Sequence, residues 1–206
     1  MPISIGRLAR VTALGTGLIA AAAIALSTTS ASADTTDTGG SATITVPRSY
    51  VVGLAKQGVI LLAGGPASAS YTAGQGNASS TESCTFTVTG GNGEVANFYG
   101  TVQLGGTLVV INAAHSQTAT ITDLRLDFFN GTLTGVIDGA SAPTAIAYIS
   151  GSLTESTGTG TETFSASKLM LSGKAATALN AALGTKAFLR ATDIGAFTTT
   201  FDVTIS

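Results

Sequence analysis

The chain is poor in the residues that most chemistry needs. Its 206 residues include one cysteine (Cys84), one histidine (His115), four prolines and no tryptophan, and only 10% are charged. One cysteine cannot build a disulfide framework. One cysteine and one histidine cannot supply the four ligands of a structural zinc site. A formal net charge of −2 leaves no basic surface for nucleic acid, so no such partner is expected. The missing tryptophan argues against a carbohydrate-binding module, which displays exposed aromatics. No G-x-x-x-x-G-K-[ST] phosphate loop occurs, and Gly139-Ala140-Ser141-Ala142-Pro143 only approaches the G-x-S-x-G nucleophile elbow. Asp123, Asp127 and Asp138 leave paired carboxylates open, although charges in turns are usually solvated.

The N-terminus reads as an export signal. Arg7 and Arg10 precede an uncharged run over 11–26, and Ala31-Ser32-Ala33 offers the small residues that a signal peptidase reads. The apolar run is about 16 residues, short of the roughly 20 that a membrane span needs. Residues 1–33 are therefore expected to be a cleaved signal peptide, with an uncleaved anchor as the alternative. The protein is expected to be secreted or extracellular, either free or cell-wall associated, with no permanent membrane anchor after cleavage. Cleavage leaves seven basic residues against all eleven acidic ones, about −4. Ala- and Gly-richness behind a short arginine-bearing start points to a bacterial source.

Residues 34–41 (DTTDTGGS) are polar and read as a flexible leader. Beyond them, β signals dominate. Phe197, Thr199, Phe201, Val203 and Ile205 alternate with polar Thr198, Thr200, Asp202 and Thr204, as a half-buried strand requires. Leu124, Leu126 and Phe128 alternate in the same way and run into Asn130-Gly131, a strong hairpin signal. Further strands are expected over 42–46, 59–62, 85–89, 95–99, 101–104, 108–112, 118–122, 132–137, 145–153, 163–169 and 187–190. Helices are expected over 48–57, after Pro47, and over 173–183, with Ser172 as N-cap and Gly184 as the stop. Residues 64–83 and 154–161 read as loops. Many short strands with turn signals between them predict an all-β fold: an antiparallel two-sheet β-sandwich with one or two short helices, over 42–206. Cys84 lies in a strand and reads as a small buried apolar residue, with an intermolecular disulfide as the alternative.

Four segments, in order, resemble the HtaA domain of actinobacterial secreted and surface proteins. They are Val46-Pro47-Arg48-Ser49-Tyr50-Val51; Ile121-Thr122-Asp123-Leu124-Arg125-Leu126 leading into Gly131-Thr132-Leu133-Thr134-Gly135; the run ASKLMLSGKAATALN over 166–180; and Lys186-Ala187-Phe188. The resemblance covers nearly all of the chain beyond residue 41. It implies a non-enzymatic, haem-binding domain concerned with iron acquisition, holding one ferric haem by a tyrosine axial ligand. Tyr50 matches the tyrosine and is the implied metal ligand. His115 is the candidate for the family histidine that hydrogen-bonds the phenolate, and Phe188 matches a ring that stacks on the porphyrin. Around His115 the chain departs from the family pattern, because no glycine precedes the histidine. Another haem carrier or a cell-surface receptor is the further partner implied.

On the residues alone, other roles stay open. Tyr50 also reads as a core residue with its hydroxyl at the rim, His115 as a solvated loop residue, and Phe188 as buried packing. Lys186 and Arg190 are candidates for pairing with haem propionates. The alternative function is a secreted structural or adhesive cell-surface domain that has kept the fold and lost the ligand.

Overall fold

The computed structural model describes residues 35–72 and 81–205; the expected signal peptide lies outside them. The described elements run β1 (Thr35–Pro47), α1 (Arg48–Ala55), β2 (Val59–Gly64), β3 (Ser68–Thr72), β4 (Thr81–Gly91), β5 (Thr101–Gly105), β6 (Thr107–Asn112), β7 (Gln117–Asp127), β8 (Thr132–Ile137), β9 (Thr144–Gly158), β10 (Thr161–Leu171), α2 (Gly173–Ala182) and β11 (Asp193–Ile205).

The fold is all-β with two short helices, but it is a closed antiparallel barrel and not the two-sheet sandwich expected. Eight strands form the ring in the order β7-β5-β4-β1-β11-β10-β9-β8, and β8 closes it by pairing with β9 on one side and β7 on the other. Alternation cannot separate the two architectures, since both bury one face of every strand. β1 and β11 carry glycine where their backbones approach too closely for a side chain. Gly40 has φ +112 and Gly195 has φ +134; a Cβ at either would lie 2.1 Å from a carbonyl oxygen, of Thr200 and Thr45 respectively.

Several local expectations change accordingly. Residues 35–41, read as part of a mobile leader, form the first half of β1 and pair with β11 as far as Ile205. Residues 154–161, read as a loop, are the far end of the long β9–β10 hairpin. Within 64–83, β3 and the start of β4 replace loop. Residues 95–99 are no strand; a single Glu94–Tyr99 bridge folds the 92–100 segment on itself. Residues 187–190 are an irregular crossing between α2 and β11. The Asn130-Gly131 hairpin joins β7 to β8, with Asp127 accepting from the Asn130 N–H at 3.0 Å.

The barrel has two unlike ends. One is sealed. Phe128 meets Phe164 edge-on with centroids 5.3 Å apart and lies 6.1 Å from Phe201, and these three rings are almost wholly buried. Each buried ring contributes roughly 1.5–3 kcal/mol by leaving water. The 92–100 segment crosses this end, held by two interior carboxylates. Asp37 Oδ2 accepts from the Gly93 N–H at 2.8 Å, and Glu162 Oε2 accepts from the Val95 N–H at 2.6 Å.

The other end is split. Short β5 bridges only the second halves of β4 and β7. Beyond it, the first half of β4 pairs with β3, whereas the first half of β7 pairs with β6, which pairs with β2. Consecutive strands β2 and β3 thus belong to opposite flanks of the opening and do not pair with each other. Both helices pack at this end.

Candidate functional site

The split end holds an apolar chamber. Its two helices arise from local signals. Pro47 ends β1 and stands at the N-cap of α1, a position where its missing N–H costs nothing. α1 buries Leu54 fully and packs Tyr50 and Val51 against the core. Ser172 caps α2 as expected: its Oγ accepts from the Ala175 N–H at 3.0 Å and donates to the Ala145 carbonyl. Gly184, with φ +60, follows the C-cap Leu183. Ala175, Ala176 and Leu179 are the buried face of α2.

Between these helices and the inner strand faces lies a cavity of about 70 Å³. Tyr50 and Phe188 both line it, together with Val46, Leu61, Cys84 and Leu179. Tyr50 is half-buried, and burial pushes its phenol up to about 12. It is the one lining residue with an ionisable oxygen; the other titratable group is the Cys84 thiol, also pushed up by burial, with the Glu82 charge adding to it. Cys84 is buried, as its strand position implied.

Phe188 is buried, and its place is set by a side chain that sequence reading did not single out. Asn180, on α2, accepts from the Phe188 N–H at 3.0 Å and donates to the Phe188 carbonyl at 2.7 Å. An irregular segment is thereby pinned to a helix.

His115 stands apart from these two. It is exposed on the turn between β6 and β7 and does not line the cavity. Buried Asn112 anchors that turn, accepting from the Ala114 N–H at 3.1 Å and donating to the Leu183 carbonyl at 2.8 Å. The structure therefore brings Tyr50 and Phe188 to one chamber and leaves His115 on a neighbouring hairpin tip. Among the described residues, no three His, Cys, Asp or Glu side chains group as a metal site.

Basic residues gather at the split end, where Glu82 and Asp193 also lie. Arg48, Lys56, Lys174, Lys186 and Arg190 lie on or beside the two helices and the crossing after α2. Asp37, Glu94, Glu155, Glu162 and Asp202 lie toward the sealed end.

Fold and site together define a small closed β-barrel with a helix-flanked apolar chamber that presents one phenol. Among solved structures, the fold is similar to the C-terminal domain of HtaA from Corynebacterium glutamicum, with a TM-score of 0.54 and 17% sequence identity, over 82% of this chain and 99% of that one. The chain thus has an HtaA-like fold. No family model matches the sequence, and no curated protein matches it.

Proposed function

We propose that this protein is a secreted, non-enzymatic haem-binding domain that captures ferric haem through the Tyr50 phenolate. The observation that carries the reading is the meeting of Tyr50 and Phe188 on one apolar chamber in an HtaA-like fold. A phenolate is a hard anionic oxygen and favours ferric iron, and tyrosine is an established haem ligand. In the proposal Phe188 stacks on the porphyrin. Lysines and arginines beside the helices suit the propionates. His115, on the β6–β7 turn, is the proposed hydrogen-bond donor to the phenolate. Residues 1–33 would direct export, and a second haem carrier or surface receptor would take the haem onward.

The test is a ferric-haem titration of the purified protein followed by absorption. Saturable one-to-one binding with a Soret band is expected, with loss of binding in Tyr50→Ala. A second reading is a structural or adhesive surface barrel that has lost its ligand. The small cavity favours it, since ligand pockets run to about 300–1,000 Å³. That reading expects no saturable binding at all.

A further inference from the structure

The inner chamber is too small for a porphyrin on its own. At about 70 Å³ it holds a fraction of what a ligand pocket of about 300–1,000 Å³ provides. Beside it lies a second space of about 330 Å³, the slot between β2 and β3. Val51, Leu62, Ala69 and Glu82 help to line the slot, and Leu61 and Cys84 line both spaces. These two side chains are therefore the partition.

The partition is weak for a topological reason. β2 bonds to β6 and β3 to β4, and nothing pairs β2 with β3. Merging the two spaces breaks no strand ladder; it requires the half-buried Leu61 side chain to turn aside. Among the described residues, each adjacent pair of ring strands shares a ladder; the stretches with a partner on one side only, 35–40 of β1 and 149–158 of β9, run toward the sealed end and not toward Tyr50.

We infer that the β2–β3 slot is the outer half of the haem site: the macrocycle lies through the gap between these strands, across the Leu61–Cys84 partition, with its iron at Tyr50. This rests on the haem-binding reading above. The ligand class that fits is a flat, largely apolar macrocycle, because most slot residues are aliphatic and the opening is a seam between two strand edges. Glu82 on the slot wall disfavours carboxylates there, so the propionates point to the helix end, where the lysines lie.

Three variants of the full protein test this, each measured beside wild type by Soret titration and stopped-flow uptake of ferric haem, with far-UV circular dichroism as the fold check. Ala69 is exposed on β3 opposite Cys84, and Ala69→Trp fills the slot from its outer side. It is expected to weaken binding about tenfold or more. Leu61→Ala removes the partition and is expected to raise the association rate about threefold or more. Leu153→Trp, exposed on β9 away from the slot, is expected to match wild type. The opposite signs of the first two separate an effect on the site from simple destabilisation. Wild-type affinity in Ala69→Trp, or an unchanged or slower rate in Leu61→Ala, would overturn the inference while leaving haem binding intact. Absence of saturable binding in wild type would overturn both readings.

Discussion

The Asn180 side chain brackets the backbone of Phe188, accepting from its N–H at 3.0 Å and donating to its carbonyl at 2.7 Å. Both bonds are partly buried, so removing the amide leaves two backbone groups without partners. Asn180→Ala is expected to cost about 1–3 kcal/mol, read as a drop in urea midpoint with an unchanged slope. It is also expected to weaken ferric-haem binding, because the Phe188 ring loses its fixed position. Stability equal to wild type would show that the crossing segment is held by packing alone.

The close approach of β1 to β11 can be tested by adding a methyl group. At Gly40 a Cβ would lie 2.1 Å from the Thr200 carbonyl, and φ is +112. Gly40→Ala is expected to destabilise by at least about 2 kcal/mol. At Gly53, in the middle of α1, a Cβ would meet nothing within 4 Å. Gly53→Ala is expected to stabilise by about 0.5–1 kcal/mol through helix propensity. Thermal melts of the two variants should move in opposite directions.

Asp37 is a cost of the sealed end at neutral pH. Its carboxyl is raised to about 6: burial raises it most, the Gly93 N–H opposes this, and the Glu162 charge adds to the rise. Its Oδ1 is buried without a hydrogen-bond partner. The folded state therefore binds a proton at Asp37 more readily than the unfolded state does. That contribution is fully present below the ordinary carboxylate value of 3.8, fades as pH rises toward about 6, and is gone above it. Asp37→Asn keeps the acceptor for Gly93 and removes the charge. It is expected to stabilise the protein by about 1–3 kcal/mol at pH 7 and by little near pH 4, so the gap in melting temperature between variant and wild type should close on acidification. A gap independent of pH would contradict this assignment.

Haem binding should also depend on pH, with the opposite sign. Burial keeps the Tyr50 phenol protonated to about 12, so ligation of iron must release that proton. Apparent affinity is expected to rise about tenfold per pH unit across the neutral range. Affinity independent of pH would mean that no phenol proton is lost.

What the sequence made legible was local. Ser172 and Gly184 bound α2, Asn130-Gly131 turns β7 into β8, and alternating burial marks β11. Each of these signals is complete within a few residues. The barrel was not legible, because its closure lies in β8 pairing on both edges with strands whose own patterns fit a sandwich equally well. Residues 35–41 and 154–161 were read as mobile because polar, glycine-bearing runs lack an apolar face, yet backbone ladders hold them. Tyr50 and Phe188 were singled out by resemblance; their shared cavity follows from α2 and its Asn180, far from Tyr50 in sequence. The slot was hidden for a simpler reason: residues 64–83 read as loop, so β3, one of its two walls, was not expected.

The most direct test of the account is the absorption spectrum of the ferric-haem complex in wild type and in Tyr50→Phe, which keeps the buried ring and removes the ligating oxygen. A one-to-one complex with a tyrosinate-to-iron charge-transfer band in wild type, absent in Tyr50→Phe at equal fold stability, is the expected result. An identical spectrum and affinity in the two proteins, or no saturable complex in either, would contradict it.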